Sequence, residues 1–283
     1  MKQVLVTGAN GQLGNSIKRI SPNFRGLKFV FTDVADLDIT NSEEVNTFFE
    51  SNAFDYCINC AAYTAVDKAE EEVDKAFLIN ATAVKNLAKG CQTAGAVLIH
   101  ISTDFVFDGT KRTPYTEEDT PNPISVYGKS KLLGEEYVQE ICDRYFIART
   151  SWLYSEYGNN FVKTMLRLAE TRKQISIVND QIGSPTYAGD LAEFILKVIS
   201  SESTAYGLYH YSNLGAISWY DFAVEIFKQF GKDIDVQPIK TKDYPTAAKR
   251  PKFSVLKTEK ANTDAAIQMK SWDVRLKELN IKT

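Results

Sequence analysis

The feature that most constrains the fold lies at the start of the chain. Residues 4–7 form an apolar run typical of a buried strand, and they lead directly into a turn with the spacing Gly8-x-x-Gly11-x-x-Gly14. A helical pattern with one apolar face follows. In such a unit the first glycine permits a tight turn, the second lets a diphosphate approach the backbone, and the third allows close helix–strand packing. The spacing predicts a dinucleotide site, with a plain glycine-rich turn as the alternative.

An acidic residue follows the second predicted strand, where recognition of an adenosine ribose is expected. Residues 27–32 are strand-like and end at Asp33, 19 residues after Gly14. A carboxylate at this place accepts hydrogen bonds from ribose hydroxyls and repels a 2′-phosphate, which favours NADH over NADPH. Asp38 and Ile39 lie in the next loop, where Asp38 is either a cofactor contact or a turn carboxylate.

Two capping boxes are predicted in the stretch that follows. Thr40-x-x-Glu43 has the spacing that starts a helix through about residue 49, and Asp67-x-x-Glu70 has the same spacing. The second helix is expected to run without a break to about Lys89. Asn80 falls near its buried side and is interpreted as a satisfied core amide.

Strand and helix patterns alternate up to about residue 150, which is typical of a parallel, doubly wound α/β sheet of the Rossmann type. We therefore predict a dinucleotide-binding Rossmann domain at residues 1–150 and a smaller, mainly substrate-binding lobe at residues 151–283. Part of the second region, about residues 174–207, is expected to fold back onto the main sheet.

Composition excludes several kinds of partner. The chain is 44% hydrophobic and 24% charged, as in ordinary soluble globular proteins, and its net charge of -3 offers no overall attraction to nucleic acid or to an anionic membrane. It contains no run of about 18 apolar residues and no hydrophobic signal segment. We expect a cytoplasmic protein without nucleic-acid or membrane partners.

Cysteine and histidine usage does not indicate a metal site. Cys57-x-x-Cys60 has the spacing of a metal or redox pair, but no second pair or Cys/His cluster accompanies it. We interpret both residues as core thiols. His100 and His210 fall in strand-like runs and are expected to be structural, so the sequence predicts no metal ligands.

Three polar residues are predicted to meet at the edge of the sheet. Thr103 ends a strand, and Tyr127 and Lys131 lie four residues apart on the next helix, which places them on one face. Thr103 and Tyr127 can bind one substrate oxygen, while Lys131 can hold a nicotinamide ribose and lower the Tyr127 pKa by about 2 units. This set suits hydride transfer to a carbonyl carbon with proton transfer to its oxygen. A solvated helix face is the structural alternative.

Together these motifs resemble the extended short-chain dehydrogenase/reductase superfamily. Longer runs resemble the dTDP-4-dehydrorhamnose reductase family more specifically, and the resemblance spans nearly the whole chain. The runs are residues 11–14 (GQLG), 59–70 (NCAAYTAVDKAE), 102–109 (STDFVFDG), 122–131 (NPISVYGKSK), 149–154 (RTSWLY), 159–165 (NNFVKTM), 179–186 (NDQIGSPT) and 250–251 (RP).

The resemblance implies reduction by NADH or NADPH of C4 of dTDP-4-dehydro-β-L-rhamnose, the last step in making dTDP-L-rhamnose for cell-surface polysaccharide. It implies that Tyr127 protonates the C4 oxygen, that Thr103 orients this oxygen, and that Lys131 grips the ribose. The cofactor contacts that it implies are Asn10, Gly11, Gln12, Leu13, Asp33, Asp38, Ile39, Ala61, Ala62 and Tyr63. The substrate contacts that it implies are Thr103, Asp104 and Trp152 on the sugar side, with Asn160 and Arg250 at the nucleotide end.

Several alternatives remain open from the residues alone. Trp152 can be an ordinary core indole and Arg250 a surface arginine. The chain can also be a nucleotide-sugar 4-epimerase that retains NAD without net redox turnover. A third reading is a non-catalytic NAD(P)-binding regulatory subunit, for instance of methionine adenosyltransferase.

The resemblance also bears on assembly. Some members of the family dimerise through a metal held by carboxylates, at positions occupied here by Ser16 and Gly189. Neither residue offers a carboxylate, so a monomer is favoured over a weak homodimer.

Overall fold

The computed structural model describes residues 1–265 and 267–281. The strands are β1 (Lys2–Thr7), β2 (Leu27–Phe31), β3 (Tyr56–Asn59), β4 (Val97–Thr103), β5 (Tyr145–Thr150), β6 (Leu153–Tyr154), β7 (Gln174–Val178), β8 (Ile182–Gly183), β9 (Thr186–Tyr187), β10 (Gly207–His210), β11 (Ile217–Ser218) and β12 (Asp235–Ile239). The helices are α1 (Gln12–Ile20), α2 (Ser42–Glu50), α3 (Val66–Ala69), α4 (Val73–Phe77), α5 (Ala83–Ala94), α6 (Val126–Ile141), α7 (Phe161–Ala169), α8 (Ala188–Ser200), α9 (Trp219–Gln229), α10 (Glu259–Asp264) and α11 (Trp272–Glu278).

A six-stranded sheet organises the molecule, in the order β2-β1-β3-β4-β5-β10. Each neighbouring pair of strands runs parallel. Helices cover both faces, because alternate residues of each strand point to opposite sides. The predicted doubly wound α/β fold is therefore confirmed.

Two hydrophobic clusters separate the faces of this sheet. Val4 and Val6 of β1 pack with α1 and α8 on one face. Leu5, between them, packs on the other face with α2, α5 and α6. Fully burying one such side chain contributes about 1.5–3 kcal/mol, so the alternation in β1 fixes which helices lie on which face. No helix in the described residues is both long and apolar enough to cross a membrane.

Helix α2 is capped differently from the sequence prediction. The side chain of Asn41, not Thr40, accepts hydrogen bonds from the backbone N–H groups of Glu43 and Glu44. The Thr40 hydroxyl instead donates to Asp38 Oδ1 at 2.7 Å. The predicted Thr40–Glu43 capping box is wrong because the neighbouring asparagine caps the helix and Asp38 binds the threonine.

The predicted unbroken helix from Asp67 to Lys89 is also wrong. This stretch contains α3, α4, a π turn at Leu78–Thr82 and the first part of α5. The Asp67 carboxylate accepts from Arg250 and from the Ala248 N–H, so it does not cap a helix. Within the π turn, the Asn80 amide bridges both backbone groups of Tyr63 to the Ser130 hydroxyl. Asn80 is thus the satisfied core amide that was predicted.

A third hydrophobic cluster lies outside the main sheet and forms the core of a smaller lobe. Strand β7 pairs with β12, and apolar side chains of α7, α9 and α11 pack beside them. Helix α8 and strand β10, by contrast, lie on the main sheet. Of residues 174–207, the later part therefore lies on the main sheet, whereas β7 belongs to the lobe.

Candidate active site

The carboxyl ends of the parallel strands place the predicted site residues along one edge of the sheet. Gly8 follows β1, Asp33 lies beyond β2, Ala61 follows β3, and Thr103 ends β4. Ligands of open α/β sheets bind at this edge, where loops from neighbouring strands diverge. The fold therefore brings these four residues to one side of the molecule.

Gly8 allows the loops after β1 and β3 to approach each other. Its φ is +62°, and a Cβ there would lie 2.6 Å from the Ala61 nitrogen. Any other residue would be strained in this left-handed conformation and would clash with backbone. The turn then enters α1, whose first N–H groups offer an anion-binding end. The backbone N–H of Asn10 donates to Asp33 Oδ2 at 3.0 Å, which holds that carboxylate beside the turn.

A cavity of about 300 Å³ lies at this turn. Seven of the predicted cofactor contacts line it, namely Gly8, Gly11, Asp33, Asp38, Ile39, Ala61 and Ala62. Its walls combine close-approaching backbone, small side chains and a carboxylate at the ribose position. These residues fit the adenosine half of a nicotinamide dinucleotide.

The remaining predicted cofactor residues lie around this cavity with other contacts. The Gln12 amide binds the Ser155 hydroxyl and the Asn160 amide. The Leu13 side chain packs in the core beneath the sheet, and Gly14 packs against Ala9. The Tyr63 hydroxyl donates to Glu72.

Helix α6 places Tyr127 in its first turn. The Ser125 hydroxyl caps the helix by accepting from the Gly128 N–H at 3.1 Å. A Cβ at Gly128 would lie 2.2 Å from the Phe105 carbonyl oxygen. Glycine thus lets α6 press against the turn that follows Thr103, which brings the predicted Tyr127 and Thr103 side chains together.

Tyr127 is a protonated acid at neutral pH in this environment. Burial raises the pKa of its phenol to about 12, and hydrogen bonding with the Thr103 hydroxyl acts in the opposite direction. Its ring meets Phe105 edge-on, with centroids 5.5 Å apart. A neutral phenol beside a hydroxyl is suited to donate a proton to an oxygen that gains negative charge.

Lys131 lies on the same helix face but does not act on Tyr127 as predicted. Its ammonium is buried and donates to the Ile101 carbonyl at 2.6 Å. Burial lowers the pKa of Lys131 to about 8, with the Glu135 charge opposing this shift. The prediction that Lys131 lowers the Tyr127 pKa is wrong, because burial dominates at the phenol and the ammonium is held by a strand carbonyl.

Asp104 follows Thr103 and is almost fully buried. Its Oδ1 accepts from the Thr103 hydroxyl at 3.1 Å. Burial raises the pKa of this carboxyl to about 6, while Ser254 and Thr103 act to lower it. A predicted substrate contact is therefore also an acid that titrates close to neutral pH.

A larger cavity of about 650 Å³ opens in the lobe. Trp152 and Trp219 form part of its wall. Their rings are stacked, with the centroids 3.4 Å apart and an angle of 8° between the ring planes. Trp152 has a φ of +47°, a strained conformation for a bulky residue, and such strain is commonly found at functional sites. The flat apolar wall suits the face of a sugar or a base.

Arg250 and Asn160, the two residues predicted to contact the nucleotide end of the substrate, lie differently with respect to this cavity. Arg250 lines the lobe cavity and forms a bidentate ion pair with Asp67, with distances of 3.0 and 2.7 Å. Asn160 caps α7, and its amide donates to Gln12 and to the Ser155 carbonyl. Asn160 is not among the residues that line the cavity.

The positions predicted from family members for a metal-linked dimer have local roles. The Ser16 hydroxyl donates to the Gln12 carbonyl at 2.9 Å. Gly189 packs against the Tyr187 ring and the Arg19 guanidinium, where a Cβ would lie 2.4 Å from the ring.

Sequence reasoning missed much of the lobe cavity and the charge network behind the site. Further lining residues are Phe105, Phe161, Thr164, Met165, Leu168, Arg172, Gln174, Ile175, Ser176, Ile177, Val178, Gln181, Tyr244, Thr246, Pro251 and Ser254. The family-like runs at residues 102–109, 159–165, 179–186 and 250–251 contain some of them, and no pattern in the sequence pointed to the others. Behind the catalytic edge, Arg149 forms a buried bidentate ion pair with Glu135, which also accepts from Ser102.

A chain built in this way belongs to the Rossmann-type proteins of the short-chain dehydrogenase/reductase class. Comparison with known sequences narrows this class. The model of the RmlD substrate binding domain matches residues 1–282, and the chain belongs to that family.

Relatives and solved structures agree with this assignment over the full length. The chain is 42% identical to the dTDP-4-dehydrorhamnose reductase of Aggregatibacter actinomycetemcomitans, covering 99% of this chain and 98% of that protein. A crystal structure of such a reductase from Clostridium acetobutylicum is 47% identical, covers 98% of both chains and has a TM-score of 0.93. The Bacillus anthracis reductase, solved in complex with NADP, is 44% identical over 99% of both chains, with a TM-score of 0.94.

Proposed function

We propose that this chain is a dTDP-4-dehydrorhamnose reductase, which reduces the C4 ketone of dTDP-4-dehydro-β-L-rhamnose with NADH or NADPH. The observation that carries the proposal is the position of Tyr127. Its ring contacts Phe105, which lines the lobe cavity. Tyr127 also belongs to the cluster that contains Ile79, which lines the glycine-turn cavity. The acid therefore lies where a cofactor in one cavity and a sugar in the other would meet.

The chain's residues supply the proton and the geometry of the reduction. When bound, the nicotinamide cofactor supplies the hydride. Tyr127, protonated at neutral pH, gives its proton to the C4 oxygen as negative charge develops there. Thr103 hydrogen-bonds the same oxygen and fixes its direction. Lys131 donates one N–H to the Ile101 carbonyl and uses its remaining donors to hold the nicotinamide ribose.

The lobe cavity supplies recognition of the nucleotide sugar. The Trp152–Trp219 stack forms a flat surface for the deoxyhexose, and Arg250 neutralises diphosphate charge. We infer a division of work in which residues 1–150 bind the cofactor and most of residues 151–283 bind the substrate. The relatives named as dTDP-4-dehydrorhamnose reductases support this substrate class.

Asp33 supports a modest preference for NADH, because its carboxylate lines the cavity at the ribose position and would repel a 2′-phosphate. Because the Bacillus anthracis relative was solved with NADP, the preference is tested by comparing NADH and NADPH directly. For assembly, we propose a monomer that needs no metal. Light scattering should give the mass of a single chain both with and without EDTA.

A coupled assay tests the proposal. Purified protein is mixed with NADH and enzymatically prepared dTDP-4-dehydro-β-L-rhamnose, and absorbance at the reduced nicotinamide band is followed. We expect one NADH consumed for each sugar reduced. A nucleotide-sugar 4-epimerase would interconvert sugars without net NADH loss, and a regulatory subunit would bind the cofactor without turnover. Either result would contradict the reductase proposal.

A further inference from the structure

Asp104 has an incomplete set of hydrogen bonds beside the predicted proton donor. One carboxylate oxygen, Oδ1, accepts from the Thr103 hydroxyl at 3.1 Å. The other, Oδ2, is buried and has no hydrogen-bond partner among the described residues. An unpartnered buried carboxylate oxygen is costly when charged, so this group favours its protonated form.

The groups that face Asp104 leave its charge unneutralised. Helix α6 packs against the turn that carries Asp104, and Tyr127 is the titratable residue of this helix that interacts with the Asp104 charge. The Lys131 ammonium is committed to the Ile101 carbonyl. From the segment after Pro251, only the Ser254 hydroxyl acts on the carboxyl. Within residues 1–265 and 267–281, no lysine or arginine forms an ion pair with Asp104.

A nearby aspartate, Asp108, shows how a full set of hydrogen bonds changes the pKa of a carboxyl group. Asp108 accepts from the Thr110 backbone and side chain, from Asn122 and from Tyr115. These hydrogen bonds, led by that from the Thr110 N–H, lower its pKa to about 2. Asp104, only four residues earlier, has a pKa raised to about 6 by burial. The local structure thus keeps one carboxyl charged and lets the other hold a proton near neutral pH.

Every turnover of the proposed reductase leaves Tyr127 without its proton. A phenolate in this buried site must be reprotonated before the next substrate is reduced. Thr103 donates its hydroxyl hydrogen to Asp104, and α6 presses the start of its first turn, which carries Tyr127, against the residues that follow Thr103. Ser254, whose hydroxyl acts on the Asp104 carboxyl, lines the lobe cavity. The side chains of Ser254, Asp104, Thr103 and Tyr127 therefore form a series from the cavity to the acid.

We propose that Asp104 stores the proton that restores Tyr127, and that it delivers this proton through the Thr103 hydroxyl. The inference rests on the proposed reductase. First, the Tyr127 O–H bond breaks and a bond forms between that proton and the substrate oxygen. Next, protonated Asp104 gives its proton to Thr103 Oγ1, while the proton already on Thr103 passes to the Tyr127 phenolate. The Asp104 carboxylate then takes a proton from water on the cavity side, and no electrons are exchanged in these steps. In this role Asp104 acts through Thr103.

The pH dependence of turnover tests the proposal. In the wild-type protein, kcat should fall as the pH rises above about 6, because Asp104 loses the proton that it supplies. In Asp104→Asn, kcat below pH 6 should fall by about 100-fold, the low end of general-acid effects, and the decrease in kcat above pH 6 should disappear. An unchanged kcat with an unchanged profile would overturn the relay.

Chemical rescue separates proton supply from a merely structural role. Formate, a small carboxylic acid, should restore several-fold of the lost Asp104→Asn turnover, whereas chloride at equal ionic strength should not. Tyr127→Phe is the matched control, and formate should not rescue it because the proton donor itself is absent. Loss of activity in Asp104→Asn without rescue by formate would make Asp104 only a contact, and would overturn the proposal.

A direct measurement of protonation tests the proposal without relying on turnover. In protein labelled with ¹³C at aspartate carboxyls, one buried resonance should titrate near pH 6, and it should be missing in Asp104→Asn. A carboxyl at this position that is already charged at pH 4 would contradict the stored proton. Failure of the reductase itself looks different, since wild-type protein would then consume no NADH with the keto sugar.

Discussion

The two cavities of this protein are built in different ways. The glycine-turn cavity is lined mainly by short segments that directly follow β1, β2 and β3, where glycine and alanine let the backbone come close, together with Ile79 from the π turn. The lobe cavity collects side chains from α7, β7, the start of α9 and the stretch near Arg250, which are far apart in the chain. A site that binds its ligand through backbone groups needs glycines and small residues at fixed spacing, and this spacing is visible in the sequence. A site that binds its ligand through side chains from distant segments has no comparable motif in the sequence.

Two ion pairs, one in the main-sheet region and one at the lobe, also differ in how deeply they are buried. Arg149 and Glu135 in the main-sheet region have side chains that are 2% and 1% exposed. Arg250 and Asp67 at the lobe are 23% and 45% exposed, although their contact is also bidentate. The buried pair should therefore contribute more to the free energy of unfolding. The exposed pair should be able to open so that Arg250 can bind a ligand.

The largest expected effect comes from breaking the buried pair. Arg149→Met leaves the Glu135 carboxylate buried without its partner, which should cost about 3–5 kcal/mol of unfolding free energy. Arg250→Met, the same substitution at the exposed pair, should cost no more than about 1 kcal/mol. Urea unfolding of both variants measures the difference. Equal losses would mean that the two regions do not differ in the way that burial indicates.

Removing the acid should have the next largest effect. Tyr127→Phe keeps the ring but has no proton to give, so kcat should fall by at least about 100-fold while NADH binding, followed by fluorescence titration, is retained. Tyr137→Phe, farther along the same helix, is the control and should keep wild-type turnover. Near-normal kcat in Tyr127→Phe would remove it from the role of proton donor.

A third variant tests whether the lobe binds the charged end of the substrate. Arg250→Met should raise KM for the nucleotide sugar by about tenfold, because a charge-assisted hydrogen bond contributes about 1.5–3 kcal/mol. kcat and KM for NADH should change little. A lowered kcat with unchanged KM would place Arg250 outside the binding role.

The smallest effect concerns the cofactor. Asp33→Ala removes a carboxylate that would face a 2′-phosphate, so kcat/KM for NADPH relative to NADH should rise by about fivefold, equivalent to about 1 kcal/mol of repulsion. Steady-state kinetics with both cofactors measure this ratio. An unchanged ratio would show that Asp33 does not contact the ribose.

Sequence patterns predicted the parts of the structure that depend on local rules. The strand–glycine–helix unit at Gly8 and the four-residue spacing of Tyr127 and Lys131 both follow from backbone geometry. The spacing did not predict the Tyr127 pKa, because burial and the direction of the Lys131 ammonium are set by the packed structure.

Long-range contacts explain the other errors and omissions. Asp67 looked like a helix cap, but its partner Arg250 lies 183 residues away, and no local pattern shows that pairing. The Trp152–Trp219 stack joins two segments that share no motif. Whether Asp104 accepts one hydrogen bond or several, and hence whether it holds a proton, depends likewise on neighbours that only the fold assembles.

The transfer of a labelled hydride tests the central claim, that the two cavities act together on one reaction. The protein is supplied with NADH carrying deuterium at C4 of the nicotinamide in either stereochemical position, together with dTDP-4-dehydro-β-L-rhamnose, and the product is analysed by NMR. We predict that one of the two labelled cofactors delivers deuterium to C4 of the sugar, with one NADH consumed per product. A product without deuterium from either cofactor, or sugar conversion without net NADH consumption, would contradict this account.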